Sequence, residues 1–107
     1  MGDTRLIYTT WPNPESAASA AREAVDKRLA ACANVMPGAF SCYWWEGEVQ
    51  SETEVLVIFK TSANAARDLR ELIIGLHPYD EPAFIALDID EGRSSREYVD
   101  WIKRMTK

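Results

Sequence analysis

Residues 55–59 read Val-Leu-Val-Ile-Phe, five apolar side chains in unbroken succession within the longer segment 48–61, EVQSETEVLVIFKT. Successive side chains of a β-strand point to opposite faces, so such a run needs apolar cover on both sides of its sheet. A chain of 107 residues has room for one hydrophobic core, and a single domain over 1–107 is expected. The rest of the chain must enclose this strand, or another molecule must.

The surrounding pattern supplies the other elements. Residues 4–10, TRLIYTT, are β-prone, and Asn13-Pro14 then offers a helix cap with proline at the first helical position. From Glu15 to Cys32, Ala17, Ala21, Val25, Leu29 and Cys32 recur at three- to four-residue spacing and predict one helical face. Met36-Pro37-Gly38 interrupts the next apolar run, AFSCYWW resumes a strand, and Glu46-Gly47 suits a hairpin turn. After the return strand, Ser62 can cap a second helix with Ala66, Leu69, Ile73 and Leu76 on one side, ending near His77-Pro78. Residues 83–90 predict a last strand. Ser94 to Glu97 fits a capping box before a short helix bearing Tyr98, Trp101, Ile102 and Met105.

The order is βαββαβ plus a terminal helix, which predicts an α+β, ferredoxin-like fold. Two helices cover only one face of its sheet. The second face of the 55–59 strand then calls for self-association, since one short terminal helix is too small to cover it.

Composition narrows the partners. Twelve basic against seventeen acidic residues give a net charge of −5, with no basic cluster to follow a phosphate backbone, so nucleic acid is not an expected partner. No stretch is apolar enough to span a bilayer, no signal-peptide apolar region opens the chain, and Leu6 stands where a myristoylation motif needs Ser or Thr. A cytoplasmic protein without membrane partners is expected. Cys32 and Cys42 form neither a CxxC pair nor a disulfide-rich pattern and are read as reduced thiols.

Several motifs in order resemble the CutA family of divalent-cation tolerance proteins: Leu29-Ala30-Ala31-Cys32 with Asn34, Tyr43 with Trp45-Glu46-Gly47, Lys60-Thr61, and His77-Pro78-Tyr79 with Pro82. The resemblance runs from about Ile7 to Trp101. It implies a tight homotrimer built like the PII signalling proteins, with sheets facing inward, and a link to copper and other divalent metals without a settled chemical activity. Two departures stand out. The turn after His-Pro-Tyr reads Asp80, Glu81, Pro82, Ala83, which shifts a carboxylate from after the proline to before it; and Trp11 occupies a position where many relatives carry a small residue or cysteine.

Candidate ligands are few. Cys32, placed by spacing on the first helix's apolar face, is read as packing, with a soft-metal ligand as its functional alternative. His77 has an ordinary role as a cationic group at a helix C-terminus; with one histidine per chain, a metal site using it needs a neighbouring subunit. Trp45, Lys60 and Tyr79 would line an intersubunit ligand cleft. Glu48, Glu52 and Glu54 share one side of a strand and suit either solvent or a weak hard-cation site; Asp88 and Asp90 suit a turn or a cation. No cofactor is expected to be needed for folding.

The leading expectation is a trimeric, non-enzymatic protein that binds copper or another divalent metal through Cys32 and His77 at subunit clefts. The alternatives are a PII-like sensor of a small anionic metabolite, a structural assembly module, and an enzyme using Cys32 as nucleophile and His77 as base, which lacks any orienting motif.

Overall fold

The computed structural model describes residues 2–107. Strand β1 (Thr4–Trp11) leads to helix α1 (Pro14–Asp26), the long strands β2 (Cys32–Trp45) and β3 (Glu48–Ser62), helix α2 (Ala63–Leu76), strand β4 (Phe84–Asp88), a single 3-10 turn and helix α3 (Arg96–Met105). The strands form one antiparallel sheet in the order β2-β3-β1-β4. This is the predicted α+β, ferredoxin-like arrangement.

Alternation in the two central strands divides the sheet. Ile7, Thr9 and Trp11 of β1 and Val55, Val57, Phe59 and Thr61 of β3 are buried, and the apolar members join the alanines of α1 and Leu69 and Ile73 of α2 in one core. The alanines let α1 approach the sheet closely. The intervening residues Leu6, Tyr8, Leu56, Ile58 and Lys60 point to the other face, where Tyr8, Met36, Ile85 and Leu87 remain exposed.

Helix caps account for the element boundaries. The Asn13 side chain accepts the Ser16 N–H at 2.8 Å, with Pro14 at the first helical position, and Ser62 accepts from Ala65 N–H at 3.2 Å. The predicted extension of α1 to Cys32 is wrong. The helix stops at Asp26 because Arg28 takes a left-handed conformation, φ 60°, while Leu29 N–H donates to Ala24 O and Arg28 N–H to Val25 O. This Schellman closure usually uses glycine; arginine here leaves no compositional trace of the stop. Leu29 is buried beside the closure, but Val25 is exposed and Cys32 begins β2. In α2, Ala65 rather than Leu76 completes the buried stripe.

The hairpin turn falls at Glu46-Gly47 as predicted, with φ of 49° and 81°, the left-handed pair such tight turns need. β2 runs through Met36-Pro37-Gly38 by a bulge between Met36 and Ala39, with Gly38 at φ 90°. β1 pairs with β3 only from Val55 onward, so beyond that point β2 and β3 continue as a two-stranded arm. Register gives the arm two unlike faces. Phe40, Cys42 and Trp44 oppose Thr53, Ser51 and Val49; Ser41, Tyr43 and Trp45 oppose Glu52, Gln50 and Glu48. Phe40 and Trp44 are 73% and 75% exposed. An isolated hairpin is marginally stable, and this one displays large aromatics to solvent.

α3 meets the open face at one end only. Tyr98 reaches Lys60 there; of the predicted face Ile102 is buried, joined by Val99, while Tyr98 is exposed and Trp101 and Met105 are half-buried. Ser95 caps α3 without a side-chain bond, so the predicted capping box does not form. Glu91 fastens this end: it accepts from Thr4 Oγ1 at 2.7 Å, Asp3 N–H at 2.9 Å and Lys103 Nζ at 3.1 Å. The Thr4 hydroxyl and Lys103 hold its carboxyl down from 4.5 to about 2. A depressed carboxyl pKa stabilises the fold above the unfolded value and loses that contribution as pH falls through the folded one. The Asp3 amide signal is therefore expected to shift as pH drops from 4.5 towards 2, and Glu91→Gln to abolish that titration.

Candidate functional site

The chemistry-bearing residues gather in two places. At the end of β1, the Trp11 indole N–H donates to Thr9 Oγ1 at 2.8 Å, and that hydroxyl donates to Val57 O at 2.9 Å. A buried tryptophan is thereby fully satisfied. The His77 ring stacks on Trp11 with centroids 4.2 Å apart, and Tyr79 follows at 4.9 Å from His77.

His77 itself is 8% exposed and both ring nitrogens are engaged. Nδ1 lies 3.1 Å from the Tyr79 N–H, which can only donate, so Nε2 carries the hydrogen and donates to Thr10 O at 2.7 Å. The expected cationic helix-end role is thus corrected: the ring is a neutral strut joining the end of α2 to β1. Neither nitrogen is free for a metal in this arrangement.

Tyr79 extends from this strut towards the arm, its hydroxyl 3.5 Å from Glu54 Oε2. Burial, then the charges of Glu52 and Glu54, raise the phenol above its ordinary pKa. Nearby, Tyr43 donates to Glu52 Oε1 at 2.8 Å, and that bond raises the Tyr43 phenol in the same direction. Glu54 is 7% exposed and has no cation within 4.0 Å among the described residues. Sequence reasoning grouped it with solvated carboxylates, since nothing in the local pattern distinguishes it from Glu48 or Glu52.

The second place lies on the open face beside α3. Cys32 and Lys60 are register partners, so their side chains share one side of the sheet, and Cys32 is half-buried rather than packed on a helix. The Cys32 thiol lies 3.8 Å from Asn34 Oδ1. Lys60 Nζ donates to Tyr98 Oη at 3.1 Å and sits 5.1 Å from that ring's centroid. The Tyr98 hydroxyl raises the ammonium above its ordinary pKa, against the opposing pull of desolvation.

The predicted residues are therefore split. Cys32 is beside Lys60, His77 beside Tyr79, and four strand positions from Leu6 to Thr10 separate the two places, roughly 14 Å. Trp45, at the arm's tip and 60% exposed, adjoins neither. Asp88 and Asp90 take different partners, Arg5 and Arg93, and do not form a shared cation site. Among the described residues no group of three or more His, Cys, Asp or Glu side chains is arranged to hold a metal ion.

The sequence model of the CutA1 family, divalent ion tolerance protein, matches residues 5–105. This chain belongs to that family. The divalent-cation tolerance protein CutA of Thermus thermophilus is 43% identical over 101 residues, 94% of this chain and 96% of that protein. The PII-like protein CutA from Nostoc, solved in its apo form, superposes with a TM-score of 0.89 at 38% identity, covering 96% of this chain and 97% of that one. A structure described as the periplasmic divalent cation tolerance protein CutA from Archaeoglobus fulgidus superposes at 0.90, with 34% identity over 97% of this chain and 99% of that one. The CutA fold is thus shown, and its names are not those of enzymes. No helix among the described residues is long and apolar enough to cross a membrane.

His77→Phe would keep the stacking on Trp11 but strand Thr10 O and the Tyr79 N–H. Both bonds are part-buried, and leaving such a group unmet costs up to about 1–3 kcal/mol. Chemical denaturation at fixed protein concentration is expected to show that loss; a change under about 0.5 kcal/mol would contradict the strut role.

Proposed function

We propose that this CutA-family chain acts as a cytoplasmic homotrimer that binds copper or another divalent cation at sites completed between subunits, without catalysis. The observation that carries the composite site is the division of its donors: a half-buried thiol at one end of the sheet, the exposed carboxylates of the arm beyond the other, and no complete ligand group within one chain among the described residues. Family membership supports the divalent cation. The open sheet face and the aromatic side of the arm support assembly, because both expose apolar surface that a monomer would leave in water.

Electrostatics favours a cation over an anion. Residues 33–59 contain Glu46, Glu48, Glu52 and Glu54 and no lysine or arginine. Cys32 is the soft donor suited to copper. His77 serves by positioning Tyr79 rather than by ligation, since coordination would break one of its two backbone bonds. A small anion would have Lys60 as its cation on this face, already engaged by Tyr98, with Trp45 and Tyr79 brought from other copies.

Calorimetric titration of the reduced, metal-free protein with copper and with zinc tests the proposal, together with the assembled mass in solution. Saturable binding at a simple ratio to subunits is expected, with Cys32→Ser weakening copper about tenfold or more. Wild-type protein that binds neither ion saturably would overturn the metal reading and leave assembly to be judged by mass alone.

A further inference from the structure

Among the described residues Glu54 and Lys60 each lack a counter-ion. Glu54 is 7% exposed, the hydrogen bond its side chain makes among the described residues is from the Tyr79 hydroxyl at a long 3.5 Å, and the carboxylate two residues away, Glu52, has the same sign. Burying an unpaired carboxylate is costly, so something outside the chain is needed to compensate it. Lys60 meets the hydroxyl and ring of Tyr98 and lies beside the Cys32 thiol, with no carboxylate within 4.0 Å among the described residues.

Both residues belong to β3, and alternation through Leu56 and Ile58 puts them on the same side of it. Six positions separate them, roughly 20 Å of extended chain, so they cannot meet within one chain. Between them lies the open apolar face, with Tyr8 and Met36 exposed and Leu56 and Ile58 half-buried. Glu54 stands one residue beyond the last pairing of β1 with β3, where the arm leaves the sheet. A cyclic contact places different parts of one element against a neighbouring copy, which is the geometry two such complementary, separated charges require.

We infer that Glu54 of one copy pairs with Lys60 of the next, closing at the subunit interface an ion pair that neither chain can make alone. This rests on the assembled state proposed above. It goes further by assigning the compensation of Glu54 to a protein ammonium, not to a metal. Copies carrying −5 each repel overall, and a local pair of opposite charges sets the orientation in which the open faces meet. The partner ammonium also leaves Tyr79 and Glu52 at the mouth of the same contact, beside the carboxylate they flank.

A double-mutant cycle on subunit dissociation tests the pair. Glu54→Gln, Lys60→Met and the double variant are compared with wild type by dilution in the analytical ultracentrifuge, with and without a chelator, and far-UV circular dichroism checks each fold. Each single change is expected to raise the dissociation constant about tenfold or more, and the double variant to be no worse than the poorer single one. Strictly additive effects would overturn the pair. So would a chelator that mimics Glu54→Gln while Lys60→Met stays silent, because a bound cation would then be compensating Glu54. If Glu54→Gln does not fold, the exchange Glu54→Lys with Lys60→Glu is read against Lys60→Glu alone: recovery of assembly supports the pair, and no recovery refutes it. Wild type that is monomeric at every concentration would sink the assembly reading itself, an outcome distinct from an assembled wild type with an additive cycle.

Discussion

The eight-residue pairing of β1 with β3 at the centre of the sheet governs the molecule. It aligns Ile7 with Phe59 and Thr9 with Val57, so every second side chain of both strands enters the core under α1 and α2. The same alignment commits the alternate residues to the opposite face, where α3 reaches one end only. Because β1 is shorter than β3, the pairing also decides where the sheet stops and the arm begins. A shift of one residue would exchange the two faces, burying Lys60 and exposing Phe59. Core, open face and arm are thus consequences of one register.

How much of this was legible in the sequence depended on whether a feature has a local cause. Asn13-Pro14, Ser62 and Glu46-Gly47 act through their own backbones, and the caps and the turn fall at the expected residues. The end of α1 does not announce itself, because an arginine adopts the left-handed closure where glycine is the usual signal. Helical spacing then continues by chance through Leu29 to Cys32, and Cys32 was assigned to the wrong element for that reason. The faces of α2 and α3 were read nearly right, but the residues actually buried, Ala65 and Val99, depend on how each helix is rotated against the sheet. That rotation is a tertiary property.

The candidate site shows the same division more sharply. The His-Pro-Tyr motif was legible as a rigid connection, and it is one. The protonation of His77 was not, because it is dictated by Thr10 O and the Tyr79 N–H, one of which arrives from a strand 67 positions away. Glu54 was invisible for a related reason: alternating glutamates look alike in sequence, and only the end of β1 and the approach of Tyr79 separate a buried one from its solvated neighbours. Charges in this protein take their character from where the sheet ends.

That placement bears on how the dispersed groups of this chain would act under the proposed cation reading. The Trp11, Thr9 and His77 network is buried, hydrogen-bonded and continuous with the core, and it fixes Tyr79 against Glu54 without using either as structural filler. A positioned but incomplete group on a rigid support has a definite geometry to offer and nothing to close on until a second surface arrives. Cys32 and Lys60, held by β-pairing at the opposite end of the same face, have the same property. Under the proposed reading, coordination is conditional on assembly. Changes in subunit contact and changes in cation affinity then become reciprocal expressions of one coupling free energy, since whatever tightens one must tighten the other.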